Sequence, residues 1–353
     1  AGYDRFQGDA GVDILRGSAG DDTFRMYQFT GAATVERIEG NGGNDQIAGT
    51  GSSDTLDFSA TELLGISQID GGAGNDAITG SAGADVIIGG SGSDNLNGGA
   101  GDDVFLLSGT DAGYDRFEGG AGFDVLRGSA GDDTFRMYQF TGAATVERIE
   151  GNGGNDQVAG TGSSDTLDFS ATELVGISQI DGGAGNDAIT GSAGDDVIIG
   201  GTGSDNLNGG AGDDVIRVAG SELNGDSVDG GTGSDTLQFN GANINEVYDV
   251  SANGGRVRFT RNIANITMDL NDVERIELNV LGGADTLTVN DLTGTRVSEV
   301  AVNLAGAGGD DRTAVARRRD RGRRRGRCSS RGPWSCGRAA GPRSCRGGRA
   351  PWR

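Results

Sequence analysis

Aspartates spaced nine residues apart are the first feature of this sequence that could do chemistry. Asp76, Asp85, Asp94 and Asp103 each close a glycine-rich run, in GGAGNDAIT, GSAGADVII, GGSGSDNLN and GGAGDDVFL, which adjoin without a gap. Asp187, Asp196, Asp205 and Asp214 repeat the arrangement 111 residues later. A carboxylate is a hard oxygen donor, and a tight glycine turn leaves backbone carbonyls beside it, so the set suits a hard cation. Neighbouring acids such as Asp102 and Asp103 could serve glycoside hydrolysis, but they recur too regularly to form one active site. The chain has no His and no Lys, which excludes an HExxH zinc site and a P-loop. Glycine clusters such as GSGSDN open no long amphipathic helix, so dinucleotide binding does not fit. No catalytic constellation is visible, and the sequence reads as a non-enzyme.

The elements that position these aspartates follow from the period. From Gly8 to Gln238 the chain is twenty-three nonapeptides, interrupted by MYQFT (26–30), FSAT (58–61) and LSG (107–109) and their counterparts at 137–141, 169–172 and 218–220. Position 8 is Leu, Ile, Val or Phe in every unit, from Leu15 to Leu237. Position 6 is Asp in nineteen units, Glu at Glu36 and Glu147, and Ser at Ser67 and Ser178. Low-complexity sequence does not hold two positions in phase across six insertions. Glycine at positions 1, 2 and 4 permits positive φ and close backbone approach. Positions 7–9 form a minimal strand with one side chain inward. Turn plus strand, repeated, predicts an all-β parallel solenoid whose rungs pair through the backbone.

One buried apolar side chain per nine residues does little against the entropy of ordering them. Stacked turns also set carboxylates against one another. The ion-free chain is therefore expected to be marginal or unfolded, with a hard cation needed to neutralise the turns. A solenoid that used Asp only for turn bonds would accept Asn at position 6. Asn occurs at position 5, as in Asn44 and Asn75, and never at 6.

Composition agrees. The 353 residues include 69 Gly, only 34% are hydrophobic, and the net charge is −23. That average hides a boundary. Residues 1–311 carry 51 acids against 14 Arg, a net of −37, while residues 312–353 carry 15 Arg and one Asp, a net of +14. All Cys, Pro and Trp lie beyond residue 311, so no disulfide braces the acidic body. A period of nine is not collagen, and no apolar run approaches the roughly 20 residues of a membrane span.

GGAGNDAIT, GGSGSDNLN and GGAGDDVFL resemble the GGxGxDxUx nonapeptide of the RTX (hemolysin-type) calcium-binding repeat proteins. The resemblance covers residues 8–238. It implies a parallel β-roll in which two nonapeptides complete a coil, with Ca²⁺ between the turns of repeats n and n+2. Carried over residue by residue, it pairs Asp76 with Asp94, Asp85 with Asp103, Asp187 with Asp205 and Asp196 with Asp214. It adds carbonyl ligands from Gly72, Gly74, Gly89 and Ser91 in the first site. Further position-6 candidates are Asp13, Asp22, Asp45, Asp54, Asp124, Asp133, Asp156, Asp165 and Asp235. Ser67 and Ser178 remove a ligand, Glu36 and Glu147 stand in degenerate turns, and pairs across an insertion, such as Asp94 with Asp115, depend on how the extra residues are accommodated. Eleven nonapeptides per 111-residue copy is an odd number. Unless an insertion takes up a half-coil, equivalent turns of the two copies would face opposite sides.

The resemblance further implies a secreted or cell-surface bacterial protein that folds on calcium outside the cell, exported in many cases by a type I apparatus. Two classes follow: a structural or adhesive calcium-binding array, or the C-terminal module of an exported protease or lipase whose catalytic domain lies upstream. The expected organisation is two repeat blocks, 1–118 and 119–238, a β-rich continuation or cap at 239–311, and an Arg-rich tail at 312–353. In 239–311, EVYDVSANGGRVRFTRN reads as two strands around a Gly-Gly turn with Val257 and Phe259 on one face. VERIELNVLGGADTLTV keeps a remnant of the motif at Asp285 and Leu287. The chain opens at Ala1 in mid-pattern and reads as a fragment. RRRDRGRRRGR (317–327) could bind an anionic surface or nucleic acid, but it reads better as Gly-Asp codons in a shifted frame, disordered and with no nucleic-acid partner.

Overall fold

Each nonapeptide folds as a glycine turn followed by a strand of about three residues, and successive strands lie on the edges of a coil. The structure, a computed structural model, describes residues 6, 8–30, 35–107, 113–141, 146–219, 225–303 and 312–315, with short strands at 334–335 and 343–345. The Arg-rich tail otherwise lies outside the described residues. Among the described residues there is no helix, and the architecture is a parallel β-solenoid of about twelve turns. Two units are described in turn: residues 1–161 with 166–179, and residues 162–165 with 180–353.

In the first unit the period of the stack changes along the chain. Val86–Ile88 pairs with Val104–Leu106, and Ala77–Thr79 with Asn95–Ala100, so residues eighteen apart are neighbours and two nonapeptides complete a coil. Earlier coils are longer. Ile14–Arg16, Arg37–Glu39 and Glu62–Leu64 form a third column, beside the column begun by Thr23–Arg25 and Asp45–Ala48 and that begun by Gln28–Phe29 and Thr55–Asp57. The extra strands come from the insertions: Gln28–Phe29 lies within MYQFT, and Glu62–Leu64 follows FSAT directly. The insertions also fill the wider core they create, because Met26, Phe29 and Phe58 are buried and the two rings stack at 4.9 Å between centroids.

Three three-strand coils are thus followed by two two-strand coils, which accommodates the odd count of eleven. Asp115 bridges to Met137, which brings the second insertion strand, Gln139–Phe140, next to Arg116–Ala121. Val125–Arg127, the counterpart of Ile14–Arg16, joins the column begun by Thr23–Arg25.

Within the second unit, Thr236–Asn240, Arg275–Asn279 and Glu299–Asn303 stack in parallel. A hairpin of Val247–Asn253 and Arg256–Arg261 is inserted there, with Ile266–Asn271 antiparallel to its second strand and parallel to Ser227–Asp229. Val257 and Phe259 point inward as their alternation predicts. Thr286–Val289 then pairs parallel with the hairpin's first strand. The core is the position-8 column: every such residue from Phe24 to Leu237 is buried, and Leu15 on the end coil is half-exposed.

Candidate metal centre: the aspartate rows

Stacking the coils places the position-6 residues in rows, and one hydrogen bond repeats along each row. The amide of each Asp donates to a carboxylate oxygen of the Asp one coil on. Asp76 donates to Asp94 Oδ1 at 2.7 Å and Asp85 to Asp103 Oδ1 at 2.8 Å. Asp187 donates to Asp205 Oδ1 at 2.8 Å and Asp196 to Asp214 Oδ1 at 2.9 Å. All four pairs expected from the sequence are therefore brought together. The rows run further than those pairs. Asp54 donates to Asp76 and Asp165 to Asp187; Asp94 donates to Asp115 and Asp103 to Asp124, across the third insertion. Asp205 donates to Asp226 and Asp214 to Asp235, again across an insertion. The rung-to-rung bond therefore continues across both insertions.

Degenerate turns keep the pattern. Asp13 donates to Glu36, Asp124 to Glu147 and Asp235 to Glu274, so Glu reaches the same point with its extra methylene. Asp22 donates to Asp45, and Asp133 to Asp156. At Ser67 the row stops: its hydroxyl donates to the Asp45 carbonyl at 2.6 Å, and Ser178 does the same to Asp156.

The second carboxylate oxygen divides the turns into two kinds. Where position 2 is Ser or Thr, the turn caps its own aspartate. Ser81 donates to Asp85 Oδ2 through its amide at 2.6 Å and its hydroxyl at 2.9 Å. Ser18, Ser129 and Ser192 serve Asp22, Asp133 and Asp196 similarly, and the Thr50 amide serves Asp54. The Asp9 amide caps Asp13. Where position 2 is Gly or Asn, Oδ2 is buried and accepts no hydrogen bond: this holds for Asp45, Asp76, Asp103, Asp124, Asp156, Asp187, Asp205, Asp214 and Asp235. Buried carboxylate oxygens left this way are costly unless a cation or donor meets them.

Glycine at position 1 makes room for that oxygen. A Cβ on Gly71 would stand 2.6 Å from Asp76 Oδ2 and 2.5 Å from the Gly89 carbonyl oxygen of the next turn. Gly72 and Gly74 serve a different end, with φ of 98° and 123°. The Ser91 amide donates to the Gly72 carbonyl, and the Ser91 carbonyl accepts from the Gly74 amide, both across the stack. A carbonyl so engaged keeps a second lone pair. The four carbonyls named from the sequence thus all flank the same pair of turns.

Burial is the main cause of the perturbed acidity in these rows, with neighbouring carboxylates adding to it. Asp76, Asp103 and Asp214 are pushed up to about 7 and Asp187 to about 6. Asp85 and Asp196 are also raised by burial, with the Ser81 and Ser192 bonds pulling the other way. The donor set is all oxygen, which fits a hard divalent cation of flexible coordination and not a soft metal. No cluster of three or more Asp, Glu, His or Cys side chains converges on one point among the described residues. Backbone carbonyls must therefore complete any site. Sequence reasoning did not list Asp115, Asp226, Glu246 and Glu274 as site residues; Asp115 and Asp226 hold position 6 and were legible by the period.

A family model described as the RTX calcium-binding nonapeptide repeat (4 copies) matches residues 1–24, 30–60, 70–105, 110–136, 141–171 and 181–216, more than half of the chain. No curated protein matches significantly. Among solved structures, the crystal structure of extracellular lipase LipA from Serratia marcescens is similar over 65% of this chain at 19% identity, with a TM-score of 0.27. The chain spans 43% of that lipase. A TM-score so low carries no weight for fold or function.

Proposed function

This chain belongs to the RTX calcium-binding nonapeptide repeat family, and from that premise we propose that it is a calcium-folded structural or adhesive segment of a secreted or cell-surface protein. The observation that carries the reading is the set of buried, uncapped Oδ2 atoms in Gly-Gly turns, at Asp76, Asp103, Asp124, Asp187, Asp205, Asp214 and Asp235. Asp76 with Asp94, and Asp187 with Asp205, would hold calcium together with the carbonyls of the turns beside them. The uncapped oxygen of Asp103 extends the site expected at Asp85 and Asp103 toward Asp124, and that of Asp214 extends the next toward Asp235. Bound calcium supplies positive charge and oxygen coordination that neutralise the row.

The chain's own residues do the rest. Each Asp amide fixes the next carboxylate through Oδ1, which aims Oδ2 into its cradle. Position-1 glycines keep that cradle open, and position-8 side chains tie each rung to the core. At low calcium the row is a line of like charges, which favours an unfolded, exportable chain. At extracellular calcium the row is neutralised and adjacent rungs stabilise one another. A type I apparatus is the export route that suits a chain kept unfolded before release. A near-exact 111-residue duplication supports a role in which added coils are themselves useful, as in an adhesive array.

Calcium titration calorimetry of single variants tests the assignment. Asp76→Ala is expected to remove at least one ion from the stoichiometry and weaken its neighbours, while Ser67→Ala leaves the stoichiometry unchanged. Equal effects from the two would contradict the reading.

A further inference from the structure

One carboxylate turn in the second unit is closed by a cation that the chain itself carries. Glu246 holds position 6 of GANINEVYD, and its turn reproduces the geometry of the aspartate rows. The Glu246 amide donates to Asp285 Oδ1 at 2.8 Å, the same rung-to-rung bond. The Ala242 amide donates to Glu246 Oε2 at 2.9 Å, the bond that Ser81 makes to Asp85. A Cβ on Gly241 would stand 2.6 Å from Glu246 Oε2 and 3.2 Å from the Asn279 carbonyl, as one on Gly71 would meet Asp76 Oδ2 and the Gly89 carbonyl. The cradle is therefore conserved in shape within the chain. Its contents differ.

Tyr248 Oη donates to Glu246 Oε2 at 2.5 Å, and the Arg261 guanidinium meets Oε1 through Nε at 2.5 Å and through Nη2. Glu246, Tyr248 and Arg261 are all buried. The hairpin delivers the arginine: Arg261 lies opposite Tyr248 in the antiparallel register and follows Val257 and Phe259 on the inward face. Its guanidinium also lies over the Phe239 ring, 5.8 Å from the centroid. Burial, and then the bond to Glu246, push the Tyr248 phenol above its ordinary range, so it stays a neutral donor. Neither charge is tolerable in this core alone.

We propose that Arg261 is a resident cation standing in for calcium at the Glu246 turn, so that this part of the stack closes without the ion. The inference rests on the calcium reading of the Gly-Gly turns and divides the chain into ion-dependent and ion-independent rungs. Glutamate rather than aspartate at this position fits the substitution, since the longer side chain reaches a guanidinium held by a neighbouring strand. Replacing the arginine should therefore make the turn depend on an external cation.

Hydrogen exchange of the full chain in EGTA and in millimolar calcium tests this. In the wild type, amides of Val247–Asn253 and Thr286–Val289 are expected to be equally protected in both media, while those of 76–124 gain protection only in calcium. Arg261→Lys keeps that behaviour. Arg261→Gln is expected to lose protection at Thr286–Val289 by at least about tenfold in EGTA and to recover it in calcium. Glu246→Gln with Arg261→Gln, which removes both charges, is expected to stay protected in both media. Calcium-dependent protection of Thr286–Val289 in the wild type overturns the proposal. So does an Arg261→Gln variant that is unaffected in EGTA or unrescued by calcium, or a double variant that loses protection. Absence of any calcium response at 76–124 sinks instead the calcium reading on which the proposal rests.

Discussion

Replacing Asp103 by Asn separates the two roles of the row carboxylates, because the substitution is expected to act with opposite sign in the two states. Asp103 is fully buried, its Oδ1 accepts from the Asp85 amide at 2.8 Å, and its Oδ2 accepts no hydrogen bond. Asn keeps the first bond. Its amide nitrogen would occupy the cradle of Gly98, which the Gly119 carbonyl oxygen also faces. Burial, followed by the charges of Asp85, Asp124 and Asp102, pushes the carboxyl up to about 7. Relative to an ordinary aspartate that displacement corresponds to roughly 4 kcal/mol. Solvent at the outer rim of the turn screens part of it, leaving about 2 kcal/mol. The raised value means that the favourable protonated form is present below about pH 4 and is lost as pH rises through about 7. At pH 8 in EGTA the ionised carboxylate opposes folding, so Asp103→Asn is expected to stabilise the ion-free protein by about 2 kcal/mol. In calcium the sign reverses. The variant takes a ligand from the sites on both sides of its turn, and each site at ten times its Kd contributes about 1.4 kcal/mol, so a loss of roughly 3 kcal/mol follows. Urea titration in calcium and osmolyte titration in EGTA, both followed by circular dichroism, measure the two changes. An Asn variant less stable than wild type in EGTA would refute the reasoning, and so would one equally stable in calcium.

Acid is expected to replace calcium in part. Asp76, Asp103, Asp187 and Asp214 are raised to about 6–7, so in EGTA the β signal is present near pH 4–5 and falls as pH rises through 6–8; an ion-free signal that grows with pH would contradict this. Ser81→Ala removes one of the two bonds that cap Asp85 Oδ2. It is expected to cost about 1 kcal/mol, chiefly in EGTA, where urea or osmolyte midpoints read it against Ser91→Ala, expected to be near neutral.

Much of the fold was legible because position 6 and position 8 are each fixed by a period that survives six insertions. The rows, the inward column and the turn order all follow from it. The coil length was not legible, since MYQFT has no nonapeptide signature, and only burial of Phe29 against Phe58 shows it to be a strand with a core residue of its own. The difference between Asp76 and Asp85 was written in the sequence as Gly72 against Ser81, but at a turn such a change reads as ordinary variation. Its meaning depends on the Ser81 amide and hydroxyl both reaching Oδ2. Arg261 was hidden for another reason. Alternation placed Val257 and Phe259 inward and would place Arg261 with them, but a charged residue at a strand end is ordinarily solvated. Only the buried Glu246 opposite makes the inward position tenable.

The most direct test is a calcium titration of the whole chain at neutral to slightly alkaline pH, followed by far-ultraviolet circular dichroism from EGTA to millimolar calcium. The expected result is a cooperative gain of β-sheet signal, reversed by chelation, above a smaller ion-independent signal from the Arg261 turn. A spectrum that is the same in EGTA and in millimolar calcium would contradict the claim that the aspartate rows need a cation to close.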